Sequence, residues 1–414
     1  MLLLVWLFCH SSYAQKTSTP ITKDSESITK TGISLPQLIT TDINRSKLQF
    51  GVNLSEGLKQ PNLSASFKKF ISNKNKQFTF NGGLVLSHTF AFEENDFQEF
   101  YNINSVSINL GADLKFFNEK NYFIQIGTQN WIHKSGGLID IDHFNFSNSL
   151  TLGIGKGRIE YVNDGVAAMT IVEKLAKYGI INRSLTEFEY SIFIQKINEL
   201  KNRRKFVNRS YPLTETEEIQ DLLSSFGIVS ADIDITPILN EAYKYEPMID
   251  RTTGSQFRIA VTAANFHTNL YSDFNSLGLV TSLSYMVHSP ISTKWQYNKG
   301  ITGYITAAQS NFDDLLYIDN NLKKAGISLT NDFYYLIDNR MRLSLLTTTG
   351  YNFIHKINSF DPFDNTYIEN KGFYLDVKSE FEYQISRTMS TTFGIDLRLT
   401  PKNTSTGLHL GLKF

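Results

Sequence analysis

The 414-residue chain lacks the features on which most soluble multidomain and helical membrane proteins depend. It contains one cysteine, Cys9, and nine prolines, and its 40 Lys and Arg residues balance its 40 Asp and Glu residues. No apolar run approaches the roughly 20 residues that a membrane-spanning helix requires. A single cysteine excludes an internal disulfide and a cysteine-based metal site. The balanced charge indicates no nucleic-acid partner.

The chain is instead rich in aromatic residues and in segments where apolar and polar residues strictly alternate. The chain has 31 Phe and 20 Tyr, and its mean hydropathy is only −0.22. From Phe144 to Gly157 the apolar residues share one parity, and small polar residues and glycines share the other. This pattern predicts a strand with one oily face and one small polar face. Transmembrane barrels have such a mild average hydropathy, because their lipid-facing and lumen-facing residues alternate.

The alternating segments predict a mainly-β antiparallel transmembrane β-barrel of about 14 strands, within a range of 12 to 16. The last strand ends on Phe414, and its leucines share one parity with that residue. This ending resembles the C-terminal signature of Gram-negative outer-membrane barrels, which their assembly machinery reads. The resemblance implies that Phe414 is an assembly signal and that the barrel assembly machinery is a partner.

The chain divides into five predicted segments. Residues 1–14 resemble a signal peptide and 15–45 a disordered periplasmic tail. Residues 46–156 and 251–414 form the two parts of the barrel, and 157–250 form a helical insert. Outer-membrane barrels have short periplasmic turns and longer external loops. The alternation of short and long connections therefore predicts that both termini and the insert lie in the periplasm.

The insert is expected to contain about four helices. The first covers about 163–178. The second is predicted to begin at a capping box of Ser184 with Glu187, and the third at one of Thr214 with Glu217. The fourth ends near residue 245 and is interrupted by Pro237. The apolar stripes predict a small bundle, or a helical layer against the barrel mouth.

One pattern in and before the insert resembles a known family. The sequence Gly155-x-Gly157-Arg158-Ile159-Glu160 is followed by a helix and by a basic run that ends at Phe206. It is similar to an uncharacterised family of Bacteroidota outer-membrane proteins that combine a barrel with such an insert. Over most of the mature chain, the resemblance implies an outer-membrane location, in contact with lipid and lipopolysaccharide. It implies no activity.

Two groups of residues are candidate functional sites. Charges expected on the lumen face would line a permeation path or neutralise one another in a closed lumen; they are Asp113, Lys115, Arg342, Asp376, Lys378, Glu380, Asp396 and Arg398. Glycines on the lumen face and a basic cluster are candidates for docking the insert; they are Gly153, Gly155, Gly157, Arg203, Arg204 and Lys205. The cluster has a second interpretation, as helix-end charges paired with Glu199, Glu215, Glu217 and Glu218. The glycines lack phosphate-loop spacing.

The sequence leaves metals and catalysis open. Acidic clusters in the predicted external loops could hold Ca²⁺ or Mg²⁺, although ordinary solvated loops are favoured, and no other cofactor is expected. Seven histidines of the mature chain are scattered over strands and loops, and no catalytic pairing can be inferred.

The sequence therefore predicts a non-enzymatic outer-membrane barrel. Its periplasmic insert would act as a plug or as a docking module for a periplasmic protein, in transport, export or envelope organisation. One alternative is a porin-like channel for passive diffusion. Another is a barrel hydrolase of the lipase or protease type.

Overall fold

The computed structural model describes most of the chain between Ile39 and Lys413. The described residues are 39–40, 42–55, 60–92, 100–136, 143–204, 212–229, 233–243, 250–268, 274–312, 322–337, 341–356, 372–384, 390–400 and 404–413. The predicted signal peptide over 1–14, most of the predicted tail and Phe414 lie outside them. These assignments stay predictions.

Fourteen antiparallel strands form one closed barrel, which confirms the predicted fold class. Each strand pairs with its neighbours in sequence. Six strands precede the insert: β1 (Ile43–Ser55), β2 (Gln60–Asn73), β3 (Lys76–Phe92), β4 (Phe100–Phe117), β5 (Tyr122–Gly136) and β6 (His143–Tyr161). Eight follow it: β7 (Thr252–Thr268), β8 (Phe274–Pro290), β9 (Trp295–Phe312), β10 (Leu322–Leu336), β11 (Met341–Lys356), β12 (Gly372–Gln384), β13 (Ser390–Leu399) and β14 (Thr404–Lys413).

The seam that closes the barrel is short. Only Gly51 to Ser55 of β1 pair with β14, whereas all of β1 pairs with β2 on its other side. Among the described strands, the part of β1 from Ile43 to Phe50 therefore has a ladder partner on one side only. Natural proteins usually cover such an edge with a helix or loop.

The outward face of the barrel is apolar, as the alternation predicts. Side chains of one parity are exposed along the strands whose side chains the structure describes, for example Leu152 at 55%, Ile154 at 60%, Leu277 at 64% and Ile305 at 64%. A soluble monomer rarely exposes so continuous an apolar surface. The band is therefore the surface that contacts lipid.

Aromatic rings border this band on the side of the insert. Trp295 stacks on Tyr335 with ring centroids 4.3 Å apart, and Tyr297 stacks on Phe333 at 4.5 Å. These cross-strand pairs lie close to the short turns after β8 and β10. Aromatic girdles of this kind mark the membrane–water interface in transmembrane barrels.

Four helices form the insert: α1 (Asn163–Lys177), α2 (Glu187–Arg203), α3 (Pro212–Ser225) and α4 (Thr236–Tyr243). In the described part of the chain, none of them is long and apolar enough to cross a membrane. Their apolar faces meet in one core. It includes the almost fully buried side chains of Ile171, Leu175, Phe193, Ile197, Ile219, Leu223, Ile235 and Leu239.

Helix α1 begins at Asn163 as predicted, whereas the predicted starts of α2 and α3 are wrong by about two residues. The capping box of α2 is formed by Thr186 and Glu189 rather than by Ser184 and Glu187. Phe188, in the first turn of α2, is 74% exposed. Helix α3 begins at Pro212, before the predicted box at Thr214. Pro237 lies in the first turn of α4 and does not interrupt it, since proline is well tolerated there.

Candidate functional site

The insert is reached through a two-stranded extension of the barrel wall. The sequence predicts that β6 ends at residue 156, but it continues to Tyr161 and stays paired with β7. Pairing with β5 stops at Lys156. Gly157 follows with φ +90, and Gly254 on the facing strand has φ +110. Glycine accepts these angles without steric cost, so the ribbon can leave the wall at this level.

The extension reaches a part of the wall four strands away, across the barrel mouth. Arg158 donates to Ser72 Oγ, at the end of β2, at 2.9 Å, and to the Lys74 carbonyl, in the turn between β2 and β3, at 2.8 Å. The ring of Tyr161 lies 4.4 Å from that of Phe70 on β2. Four interstrand steps of about 4.8 Å separate β2 from β6 along the wall. Contacts over that distance require β6 to bend inward.

A buried ion cluster ties the insert to β1. The side chain of Asp164, in the first turn of α1, is fully buried between Arg45 of β1 and Lys201 of α2. Its carboxylate forms an ion pair with Arg45 and lies 3.3 Å from Lys201 Nζ. Burial would raise the pKa of Asp164, but the charges of Arg45 and Lys201 lower it below its ordinary value. Arg45 also donates to Asn198 of α2 at 3.0 Å.

Helix α2 also covers the exposed edge of β1. The backbone N–H of Asn44 donates to Asn202 Oδ1 at 3.0 Å, and Asn202 Nδ2 donates to the carbonyl of Asp42 at 2.9 Å. A side-chain amide thus makes hydrogen bonds at the start of β1, where β14 does not reach.

The insert contacts the rim again near β8 and β9. Glu173 of α1 forms a hydrogen bond with Thr293 and interacts with the charge of Lys294, in the turn between these strands. Arg251 donates to the Thr293 carbonyl at 2.8 Å. Burial lowers the pKa of Arg251 to about 10. In the ring of strands, β8 lies seven positions from β1 in either direction. The insert therefore contacts diametrically opposite parts of the rim.

The helix lengths match the width of this mouth. Fourteen strands spaced by about 4.8 Å and tilted by about 40° give a barrel roughly 28 Å across between backbones. At 1.5 Å per residue, α1 is about 22 Å long and α2 about 26 Å long. Side chains on the wall take up the remaining distance. Two helices of this length are sufficient to span the opening.

The basic candidates serve the insert itself. Arg204 forms a buried bidentate pair with Glu215 of α3, at 2.9 and 2.6 Å. Arg203 pairs with Glu218 at 3.0 Å and with Glu199. These contacts are the ion pairs of the second interpretation, and Lys205 lies outside the described residues. The cation that docks the insert on the barrel is Arg45 of β1, through its ion pair with Asp164; Lys201 of α2 pairs with the same carboxylate from within the insert.

The lumen-facing glycines leave no room for the insert, contrary to the expectation. A Cβ on Gly155 would overlap the ring of Phe123 and the carbonyl of Phe257. A Cβ on Gly153 would lie 3.0 Å from Gln125 Oε1. Side chains of β5 fill the space beside these two glycines. Gly157 instead marks the point where the chain leaves the wall.

The predicted lumen charges form two groups on the inner wall. On β11 to β13, Arg342 pairs with Glu380 and lies 2.7 Å from Glu382, while Arg398 lies 3.1 Å from Asp376. Lys378 of the same group lies 3.8 Å from Glu380 and faces Asp396 in the ladder.

The second group lies on the wall formed by β4 to β7. Lys115 Nζ is 4.0 Å from Asp113 and 2.8 Å from Gln256 Oε1, and Arg258 is close by on β7. A polar cavity of about 570 Å³ opens above these side chains. The lumen is thus polar, with most of its charges paired.

The remaining candidates are the histidines and the acidic loop clusters, and only some of them lie among the described residues. His133 Nδ1 lies 2.6 Å from Ser107 Oγ, and His288 Nδ1 lies 2.7 Å from Thr252 Oγ1. Sequence reasoning did not find these pairs. The acidic loop clusters fall mainly in 93–99, 137–142, 313–321 and 357–371, outside the described residues. In the part that is described, no group of side chains could hold a metal ion.

A closed barrel with an apolar exterior, a polar lumen and helices across one mouth defines the class of a transmembrane β-barrel protein. No protein-family model matches the chain, and no curated protein matches it. The resemblance to a Bacteroidota family therefore stays a prediction.

Solved structures of barrels resemble the chain distantly. The beta domain of the Bordetella autotransporter BrkA has 7% identity and a TM-score of 0.30, over 90% of this chain and 99% of that chain. An outer membrane channel from Pseudomonas putida F1 has 8% sequence identity and a TM-score of 0.32, and the match covers 91% of this chain and 95% of that chain. CdiB from Acinetobacter baumannii has 8% sequence identity and a TM-score of 0.36, and the match covers 91% of this chain and 60% of that chain. At such low identities and TM-scores, the likeness supports no conclusion beyond the barrel fold, which the strand pairing already establishes.

Proposed function

We propose that the protein is a non-enzymatic transport barrel of the bacterial outer membrane, and that its helical insert is a plug across the periplasmic mouth. The observation that carries this proposal is the contact of the insert with both β1 and the β8–β9 turn. These points lie on opposite sides of the ring. A domain that only displayed a binding surface would need one attachment point.

The chemistry of the attachment supports a plug that can be released. Asp164 of the insert is joined to Arg45 of β1 by an ion pair. A buried ion pair often contributes no more stability than well-packed apolar residues of similar volume. An incoming partner or solute could therefore compete for it.

The proposed side of the insert can be tested by labelling. Phe188 is 74% exposed on α2, and Cys9, the one native cysteine, falls in the predicted signal peptide. Phe188→Cys should react with a membrane-impermeant maleimide only after the outer membrane of intact cells is permeabilised. Labelling of unpermeabilised cells would place the insert outside and contradict this part of the proposal.

The plug itself can be tested by locking it. The backbone N–H of Asn44 on β1 donates to Asn202 Oδ1 on α2 at 3.0 Å, and this contact makes Asn44→Cys with Asn202→Cys the pair to join by a disulfide. Transport into proteoliposomes should stop under oxidising conditions and recover after reduction. The control pair is Ser225→Cys with Asn202→Cys. Ser225 is exposed on α3, so both cysteines lie in the insert and neither is on the barrel wall. Equal transport by the oxidised and reduced forms would contradict gating by the insert.

Passive diffusion through a porin-like lumen is the second candidate. The polar cavity of about 570 Å³ favours it. The two functions differ in whether the complete protein conducts ions without a signal. A porin would conduct steadily with its insert in place.

A further inference from the structure

One side of the lumen is recessed. The cavity of about 570 Å³ is bounded by the inner faces of β3 to β8. Three glycines on this wall, Gly83, Gly111 and Gly127, leave the backbone exposed where other strands carry side chains. Asn81, Asn109, Gln129, Ser149, Thr151 and Thr262 surround them. The recess is therefore walled by amides and hydroxyls that both donate and accept hydrogen bonds.

Polar groups at the base of the recess have unused hydrogen-bonding capacity. Gln125 is 4% exposed, and its Nε2 donates to Asp113. Within the described structure, its Oε1 has no hydrogen-bond partner, and neither has Nε of Arg258. Both residues line the cavity. Buried polar atoms are normally satisfied, so a free acceptor and a free donor beside one cavity indicate a polar ligand.

The charge at the base is positive. Asp113 lies 4.0 Å from Lys115 and partly offsets its charge. Among the described residues, no ion pair of Arg258 is present, although this residue is near enough to Lys115 for the two cations to repel each other. Two cations and one carboxylate leave one positive charge. A ligand with a single negative group would neutralise it.

We propose that this recess binds an acidic sugar, with its carboxylate at Arg258 and its hydroxyls on the amide and hydroxyl wall. A guanidinium binds a carboxylate through two parallel hydrogen bonds, and side-chain amides suit hydroxyl groups that donate and accept. A neutral sugar would leave Arg258 without a counter-ion, and a simple dicarboxylate would leave the wall without partners. The inference names the solute of the proposed transport function and rests on it.

Binding can be measured without transport, so the two proposals can fail separately. The intact protein in detergent is titrated with glucuronate, glucose and succinate by saturation-transfer NMR, with empty micelles as the blank. Arg258→Gln removes the charge. Gly83→Leu fills the recess, and its Cβ meets only Asn109 Cβ, at 3.9 Å. Arg398→Gln removes a lumen cation on β13, six strands from β7, and is the matched control.

We expect glucuronate to bind at least tenfold more tightly than glucose or succinate. Arg258→Gln should reduce glucuronate affinity at least tenfold and leave glucose affinity unchanged, Gly83→Leu should abolish binding, and Arg398→Gln should change nothing. Equal binding of glucose, equal binding of succinate, an equal effect of Arg398→Gln or no binding of glucuronate would each overturn the proposal. If glucuronate binds but does not cross the membrane, the recess is a binding site and the transport function is wrong.

Discussion

Replacing Asp164 by Asn should release the insert from β1. In the wild-type protein this fully buried carboxylate lies between Arg45 and Lys201. Asn keeps the size and removes the charge, so the cluster loses the carboxylate that lies between its two cations. Removing one partner of a buried pair costs about 3–5 kcal/mol. At about 1.4 kcal/mol per factor of ten, the equilibrium between docked and released insert should shift by roughly two to three and a half powers of ten.

Hydrogen exchange measures this loss directly. Backbone amides of α1 and α2 should exchange faster by roughly two to three and a half powers of ten in Asp164→Asn, whereas the amides of β3 and β4 should be unaffected. Asp221→Asn is the matched control, because Asp221 is exposed on α3. The reasoning is refuted if Asp164→Asn and Asp221→Asn exchange at the same rate.

The same cluster predicts an acid dependence. Because the folded-state pKa of Asp164 is lowered, the contribution of its charge is fully present above the unfolded pKa of about 3.9. It is lost as the pH falls through the folded-state pKa. Exchange in α1 should therefore accelerate below about pH 4 in the wild-type protein. In Asp164→Asn, which has no carboxyl to titrate here, this acceleration should be much smaller.

Four further predictions follow from single contacts. Gly155→Ala should lower the temperature of thermal unfolding, because it forces a Cβ into the wall at a cost of about 1–3 kcal/mol. Gly83→Ala should not, because its Cβ makes only an ordinary contact with Asn109 Cβ at 3.9 Å. Glu215→Gln should cost about 3–5 kcal/mol of insert stability, seen as early loss of helical circular dichroism. Thr186→Ala removes the cap of α2 and should cost about 1 kcal/mol in the same assay. We expect no lipid or peptide turnover; turnover that disappears in His133→Ala would establish the hydrolase alternative.

The barrel could be predicted from sequence because its signal is local. Alternation with a period of two needs only neighbouring residues, so Leu152 and Ile154 indicate their own orientation. The apolar stripes of α1 and α2 are local in the same way. Helix starts were less certain, because Ser184 and Thr186 are both followed by a glutamate three residues later, and only packing selects the second.

The docking site could not be predicted because its partners are far apart in sequence. Arg45 and Asp164 are 119 residues apart, and no pattern in a single chain connects them. The one available signal was Asp164 itself, a charge between the apolar residues Val162 and Val166 at the start of α1. The prediction that the lumen-facing glycines leave room for the insert was wrong for a related reason. Their small size indicates close contact, but only the structure identifies Phe123 as the side chain that makes it.

The most direct test of a plug is the conductance of the barrel with and without its insert. The N–H of Val162 donates to the carbonyl of Arg251 at 2.9 Å, so the two ends of the insert are adjacent. Residues 163–250 can therefore be replaced by an Asn-Gly turn. In planar bilayers the complete protein should stay closed, and the deletion variant should conduct ions steadily. Steady conductance of the complete protein, equal to that of the deletion variant, would contradict the account.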